Sequence, residues 1–298
     1  MKIQIIKRRK TFYILSSLVI IAGLLMGLIN GLNYGIDFTG GTLLQISLGQ
    51  EVSVEEVREI TDHFDTDAEV VHAGDVNQEV MIKTQKDLSP EERTAIFKEF
   101  QAKYNLPDEA FIKSEKFGPS VGAEIRRNAV LSIGIATILM LLYITVRFEV
   151  RFGIAAVTAL VHDVLIALSV YAIFRLQVNS SFVAAILTIV GYSINDTIVL
   201  FDRVRENRKG MKRGEYEELI DSSISQTLTR TINTSLTTLI AILCLYIFGV
   251  TAIREFALPL VVGVLVGTYS SIFIASPTWY EMMMRDKHQQ RSYTGKNA

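Results

Sequence analysis

Ser180-Ser-Phe-Val-Ala-Ala-Ile-Leu-Thr-Ile-Val-Gly-Tyr-Ser-Ile-Asn-Asp-Thr-Ile-Val-Leu-Phe201 is apolar enough, and long enough, to cross a bilayer. A crossing takes about 20 mostly apolar residues. One residue breaks the pattern, because Asp196 puts a carboxylate at membrane depth. An ionised group there costs roughly 2.5–3.5 kcal/mol on insertion scales. A chain that accepts this cost has a use for the charge: a proton relay, an ion site or a partner cation.

Working outward, five further runs have the same character, and mean hydropathy is positive. The six spans fall near 11–30, 128–146, 152–174, 182–201, 223–249 and 255–277. The first follows Lys7-Arg-Arg-Lys10 but is too long for the apolar core of a signal peptide, and reads as an uncleaved helix. The one cysteine, Cys244, is buried in the fifth run, so no intrachain disulfide forms.

Lys and Arg set the orientation. With the N-terminus inside, the inner segments hold Lys7, Arg8, Arg9, Lys10, Arg147, Arg151, Arg203, Arg205, Arg208 and Arg285. The two short outer loops hold only Arg175 and Arg254. The positive-inside rule therefore puts both termini in the cytoplasm and residues 31–127 outside. The expected divisions are 1–30 (N-terminus and first helix), 31–127 (outer domain), 128–277 (helices two to six) and 278–298 (cytoplasmic tail). The loop 202–222 is basic then acidic, and reads as a solvated elbow with a short amphipathic helix, held by lipid headgroups.

The 31–127 stretch carries 19 acidic and 10 basic residues, which excludes a nucleic-acid surface. Thr42–Leu48 alternates as a strand, and Ser53-Val-Glu-Glu56 opens a helix with a capping box. Glu69–His72 and Glu79–Thr84 read as strands joined across Gly74-Asp75. Ser89-Pro-Glu-Glu92 starts a helix reaching Tyr104, and Ala110–Lys116 is a last strand. The order βαββαβ predicts a ferredoxin-like α+β sandwich. His63 and His72 stand apart from any ligand cluster, so no metal or other cofactor is expected.

Other polar residues lie inside the spans. His162-Asp163 sits mid-way along the third, and is either a second relay group or a structural pair. Asn195 adjoins Asp196. Arg230 sits in the fifth with Thr227, Thr231, Thr234 and Thr238, whose spacing makes one stripe able to hydrogen-bond across a helix contact. Counting residues puts Asp196 and Arg230 at similar depth, which predicts an ion pair, either titrating or static. A hydrolytic triad of Ser193, His162 and Asp163 is disfavoured, because adjacent helical residues point about 100° apart. Gly23-x3-Gly27 and Gly263-x3-Gly267 are helix-packing faces, for neighbours in this chain or for a partner's.

Four segments carry a resemblance: Gly35-Ile-Asp-Phe-Thr-Gly-Gly41, Ala159-Leu-Val-His-Asp-Val164, Val190-Gly-Tyr-Ser-Ile-Asn-Asp-Thr-Ile-Val-Leu-Phe-Asp-Arg-Val-Arg-Glu-Asn207 and Leu228-Thr-Arg-Thr-Ile-Asn-Thr-Ser-Leu-Thr-Thr238. Together they resemble the SecF branch of the SecD–SecF protein-export family, in the resistance-nodulation-division superfamily, over nearly the whole chain. The resemblance implies a polytopic half-transporter that pairs with SecD in the bacterial cell membrane. It also implies work beside the SecYEG channel, with YajC and YidC as further neighbours, on a translocating polypeptide and driven by the proton-motive force. It implies no enzyme activity. By resemblance Asp196, Arg230 and Thr234 belong to the ion path. Gly35, Asp37, Gly40 and Gly41 form a hinge motif at the base of the outer domain, and Asp163 has a less certain role. The alternative is a passive scaffold for SecD or the channel, with a structural ion pair. The residues suit H⁺ or Na⁺ equally.

Overall fold

The computed structural model describes residues 4–74, 78–210 and 215–285. Among the described residues, six helices are long and apolar enough to cross a membrane. They are α1 (Arg9–Asn30), α5 (Pro119–Arg147), α6 (Val150–Ile173), α7 (Ser180–Arg208), α8 (Tyr216–Phe248) and α9 (Thr251–Ser270). The last continues through a π-helical turn, Ser271–Ala275, to Arg285. Between α1 and α5 come β1 (Asn33–Tyr34), α2 (Ile36–Thr39), β2 (Gly41–Ser47), α3 (Val54–Thr61), β3 (Glu69–Ala73), β4 (Glu79–Thr84), α4 (Pro90–Tyr104) and β5 (Phe111–Phe117). A two-residue strand, β6 (Gln177–Val178), precedes α7.

The helices overrun the spans read from hydropathy. α5 starts at Pro119, inside the stretch assigned to the polar domain, and α8 starts at Tyr216. The expected elbow at 202–222 is mostly helix, its flanks being the last turns of α7 and the first of α8. Polar ends persist as helix because ion pairs one turn apart hold them: Arg205 with Asp202 at 2.7 Å and Arg203 with Glu206 at 3.0 Å. Residues 278–285 are not a free tail. Trp279 is fully buried, and its ring stacks on Phe152 with centroids 5.0 Å apart. Residues 286–298 of the expected cytoplasmic tail lie outside the described residues. Asp75 of the expected turn lies outside them too.

α6, α7 and α9 form the buried middle of the bundle, and α1, α5 and α8 present apolar faces outward. Small residues make the inner contacts close. A Cβ on Gly23 would stand 2.2 Å from that of Ser169 in α6. One on Gly263 would meet Ile189 of α7 at 2.2 Å, and one on Gly267 would meet Ser193 at 3.0 Å. Both glycine faces are thus occupied within this chain. Cys244, expected to be buried, stands on the exposed side of α8.

In the polar domain the strand order is β3-β4-β2-β5, with every neighbouring pair antiparallel. Both helices start where the sequence places their caps. The Ser53 and Ser89 hydroxyls each accept the N–H three residues on, and Glu92 returns the bond to Ser89. Leu44, Ile46, Val80, Ile82, Ile96, Phe97 and Phe100 fill the space between sheet and helices.

Gly40 and Gly41 turn the chain from α2 into the sheet. Gly41 has φ +145°, and a Cβ there would lie 2.2 Å from the Thr84 carbonyl oxygen. Gly41→Ala is expected to destabilise this corner by about 1–3 kcal/mol, since rigid backbone must move. Thermal unfolding of the purified chain measures it; an unchanged midpoint would refute the account.

Candidate functional site

The polar residues of the bundle gather into two clusters, one turn of α7 apart. The first contains Asp196, 3% exposed. Its Oδ2 accepts from the Ser235 hydroxyl of α8 at 3.4 Å, and Ser235 shares a 2.6 Å hydrogen bond with Thr268 of α9. Three helices therefore meet at one carboxylate through neutral hydroxyls.

Arg230 does not pair with it. Among the described residues the guanidinium forms no ion pair. It lines an open cleft of about 430 Å³ between α5, α7 and α8, with Tyr143, Arg147, Asp202 and Arg203. It acts on Asp196 through space only. Register explains why. Asn207 of α7 donates to Ser223 of α8 at 2.9 Å. Eleven residues up α7 from there is Asp196, and eleven along α8 is Thr234. Positions 234 and 235 thus stand level with Asp196, and Arg230 lies about one turn away. Depth counted from hydropathy limits missed this because it takes the limits at 201 and 223 as level, whereas Ser223 stands beside Asn207, further along α7.

The threonine stripe also differs from expectation. The hydroxyls of Thr227, Thr234 and Thr238 donate to the carbonyls of Ser223, Arg230 and Thr234 in their own helix. Such local bonds are available to any helical Ser or Thr. Thr234 therefore braces the backbone of Arg230 rather than touching Asp196. Asn195 points out of the bundle.

The second cluster centres on Asp163, 1% exposed. Its Oδ2 accepts from Ser193 of α7 at 2.6 Å and from Ser270 of α9 at 2.8 Å. Its Oδ1 lies 3.0 Å from His162 Nδ1, and His162 Nε2 lies 2.9 Å from the Ser16 hydroxyl of α1. Both ring nitrogens thus have oxygen partners, and Ser16 passes the network on by donating to the Tyr269 hydroxyl at 3.2 Å. Four helices are joined. Ser193 touches the aspartate and not the histidine, so the serine–imidazole contact of a hydrolytic triad is not made. Among the described residues no three His, Cys, Asp or Glu side chains could hold a metal ion. The clusters connect along α7, where Thr197 donates to the Ser193 carbonyl at 3.2 Å and shares a 2.8 Å bond with Ser271. Ser271 opens the π-helical turn, a departure frequent at functional sites.

The glycine motif reaches the same helix. Gly35 precedes α2, and its N–H bonds the Val178 carbonyl at 2.9 Å beside the parallel β1–β6 pair. Asp37 Oδ2 accepts the Ser180 N–H at 2.9 Å, at the N-terminus of α7. A carboxylate there satisfies an orphan donor and complements the helix dipole.

Sequence reading overlooked Ser235, Thr268, Ser270 and Ser16. Ser235 lies four residues after Thr231, on the stripe already identified. Thr268 to Ser271 is a hydroxyl run directly after Gly267, where the glycines alone were weighed.

Comparison with known proteins gives a consistent picture. Residues 96–285 match the family described as protein export membrane protein SecD/SecF, C-terminal, and residues 27–52 match the SecD/SecF GG motif. The chain is similar to the protein translocase subunit SecF of Haemophilus influenzae, 38% identical over 96% of this chain and 87% of that one. It is also 38% identical to the fused translocase subunit SecDF of Thermus thermophilus, over 94% of this chain and 39% of the relative. The crystal structure of a Thermus SecDF, described as a translocon-associated membrane protein, superimposes with a TM-score of 0.82 at 37% identity. It covers 95% of this chain and 39% of that one. A SecDF structure in a super-membrane-facing form gives 0.75 at 36% identity, over 98% and 40%.

Proposed function

The chain belongs to the SecD/SecF family of protein-export membrane proteins, and from that premise we propose that it uses the proton-motive force, together with SecD, to promote late translocation of polypeptides. It is a multi-pass membrane protein and an accessory subunit of a Sec translocase. Fusion of the two halves in relatives supports SecD as its partner. The SecYEG channel, with YajC and YidC, is the proposed neighbourhood. The Lys and Arg distribution supports cytoplasmic termini and an extracytoplasmic polar domain.

One observation carries the coupling. Asp196 is buried where α7, α8 and α9 meet, and its contact is a hydroxyl rather than a cation. Gaining a proton removes the site's charge and turns an acceptor into a donor. One carboxyl oxygen still accepts from Ser235, the other carries a proton that needs a new acceptor, and the through-space pull of Arg230 is lost. Helices α7, α8 and α9 therefore have a reason to differ in arrangement between the two states. A potential of 100 mV supplies about 2.3 kcal/mol per charge moved, enough to bias such a switch.

The test uses inverted membrane vesicles carrying the complex. An imposed proton gradient is expected to raise the rate at which a secretory polypeptide completes translocation, and a protonophore to remove the increase. A sodium gradient serves as the comparison ion. The charge-swapped protein, Asp196→Arg with Arg230→Asp, should lose the stimulation. Its full retention would favour a scaffold held by charge complementarity.

A further inference from the structure

Glu255, in the second turn of α9, is gripped from two sides. Its Oε1 lies 2.6 Å from the Lys83 ammonium of β4, whose side chain is only 10% exposed. Its Oε2 accepts from the Asn179 amide at 2.7 Å. Asn179 is the N-cap of α7, with Oδ1 accepting the Phe182 N–H at 2.9 Å. One carboxylate thus ties the polar domain's sheet to the ends of both helices that carry the Asp196 cluster.

Lesser contacts surround it. Lys83 also lies 3.7 Å from Glu69 of β3, and Glu69 accepts from the Gln177 amide at 2.8 Å. The Thr251 hydroxyl donates to the His72 carbonyl. Below Glu255 the helix is broken. Pro259 has no N–H to return to the Glu255 carbonyl, so the first turns of α9 are free to bend against the rest. Deeper down, Gly263 and Gly267 let α9 lie directly on Ile189 and Ser193, so α7 and α9 travel as a unit. A rigid pair of helices, a flexible neck and a charged grip on a sheet are the parts of a joint.

We propose that the Lys83–Glu255 ion pair is the joint through which displacement of α7 and α9 moves the polar domain, making both residues positioning residues for gradient-driven export. This rests on the coupling role proposed above for Asp196. Removing Glu255 leaves the Lys83 ammonium, 10% exposed, with only the 3.7 Å contact to Glu69, and removing Lys83 leaves the half-buried Glu255 carboxylate without its ion pair; either loosens the grip without disturbing the ion site.

The test compares Lys83→Met, Glu255→Gln and the swap Lys83→Glu/Glu255→Lys in full-length protein assembled with SecD in vesicles. Each single variant should lose at least fivefold of the gradient-stimulated translocation, with gradient-independent translocation and SecD co-purification unchanged. The swap should recover at least half of the loss. Singles that keep full stimulation overturn the proposal, and so does a swap as impaired as the singles. A second measurement does not depend on translocation. Spin labels at Lys98 on the polar domain and Lys10 at the far end of α1 should change separation when Asp196→Asn is introduced. The change should be lost in the Lys83→Met background. An equal change in both backgrounds overturns the joint. Wild-type vesicles without gradient stimulation would count instead against the proposed function.

Discussion

Asp196→Asn is expected to remove at least tenfold of the gradient-stimulated export rate while the protein still assembles with SecD. The substitution is nearly isosteric, and the amide oxygen still accepts from Ser235, so the 3.4 Å contact and the Ser235–Thr268 bond survive. What disappears is the exchangeable proton. If one charge crosses 100 mV per cycle, about 2.3 kcal/mol is forfeited, worth roughly 50-fold in an equilibrium or a rate. Tenfold is therefore a lower bound for a site obligatory in each cycle. The measurement is the stimulated rate in vesicles with matched protein content. Stimulation surviving at half or more of the wild-type value would remove Asp196 from the proton path.

The second large effect is expected on stability. Asp163→Ala strips the acceptor from Ser193, Ser270 and His162 at once, in a site 1% exposed. Hydrogen bonds between membrane helices average about 0.6 kcal/mol, because the unfolded helices find other partners. Serine hydroxyls can also turn back to their own helix, as Ser270 already does toward the Gly267 carbonyl. The imidazole has no such refuge, and an unmet buried donor costs about 1–3 kcal/mol. Together with the cavity, a loss of about 2–4 kcal/mol follows. Thermal unfolding of the detergent-solubilised SecD complex reads it. Asp163→Asn, which keeps the shape and one acceptor oxygen, should lose about half as much. Export then separates the two readings of the pair. Full gradient stimulation in Asp163→Asn marks a clamp, and its loss in a complex that remains folded at the assay temperature marks a second relay group.

Much of this architecture is written locally. The six apolar runs, the two serine caps of the polar domain, its element order and the glycine turn at 40–41 each depend on neighbours within a few residues. Hydropathy and capping are properties of short segments, so the chain displays them before it folds. Asp196 was visible for the same reason, since its cost is set by the apolar run around it. The long motif through residues 190–207 was specific enough to carry the family.

Other features were decided only by packing. Whether Asp196 meets Arg230 or Ser235 depends on the sliding register of α7 against α8, which the Asn207–Ser223 bond marks. A helical hydroxyl reads the same in sequence whether it bonds its own backbone alone, as in Thr234, or a facing helix as well, as in Thr268. The Lys83–Glu255 contact joins residues 172 positions apart, each an ordinary surface charge until the sheet docks on α9. The sequence by itself determined which segments enter the membrane, and that one of them carries a charge. The tertiary structure alone decided what that charge touches. Partition into lipid is a sum over neighbours in the chain, whereas a hydrogen bond depends on angstrom-scale placement of groups that only the folded packing brings together.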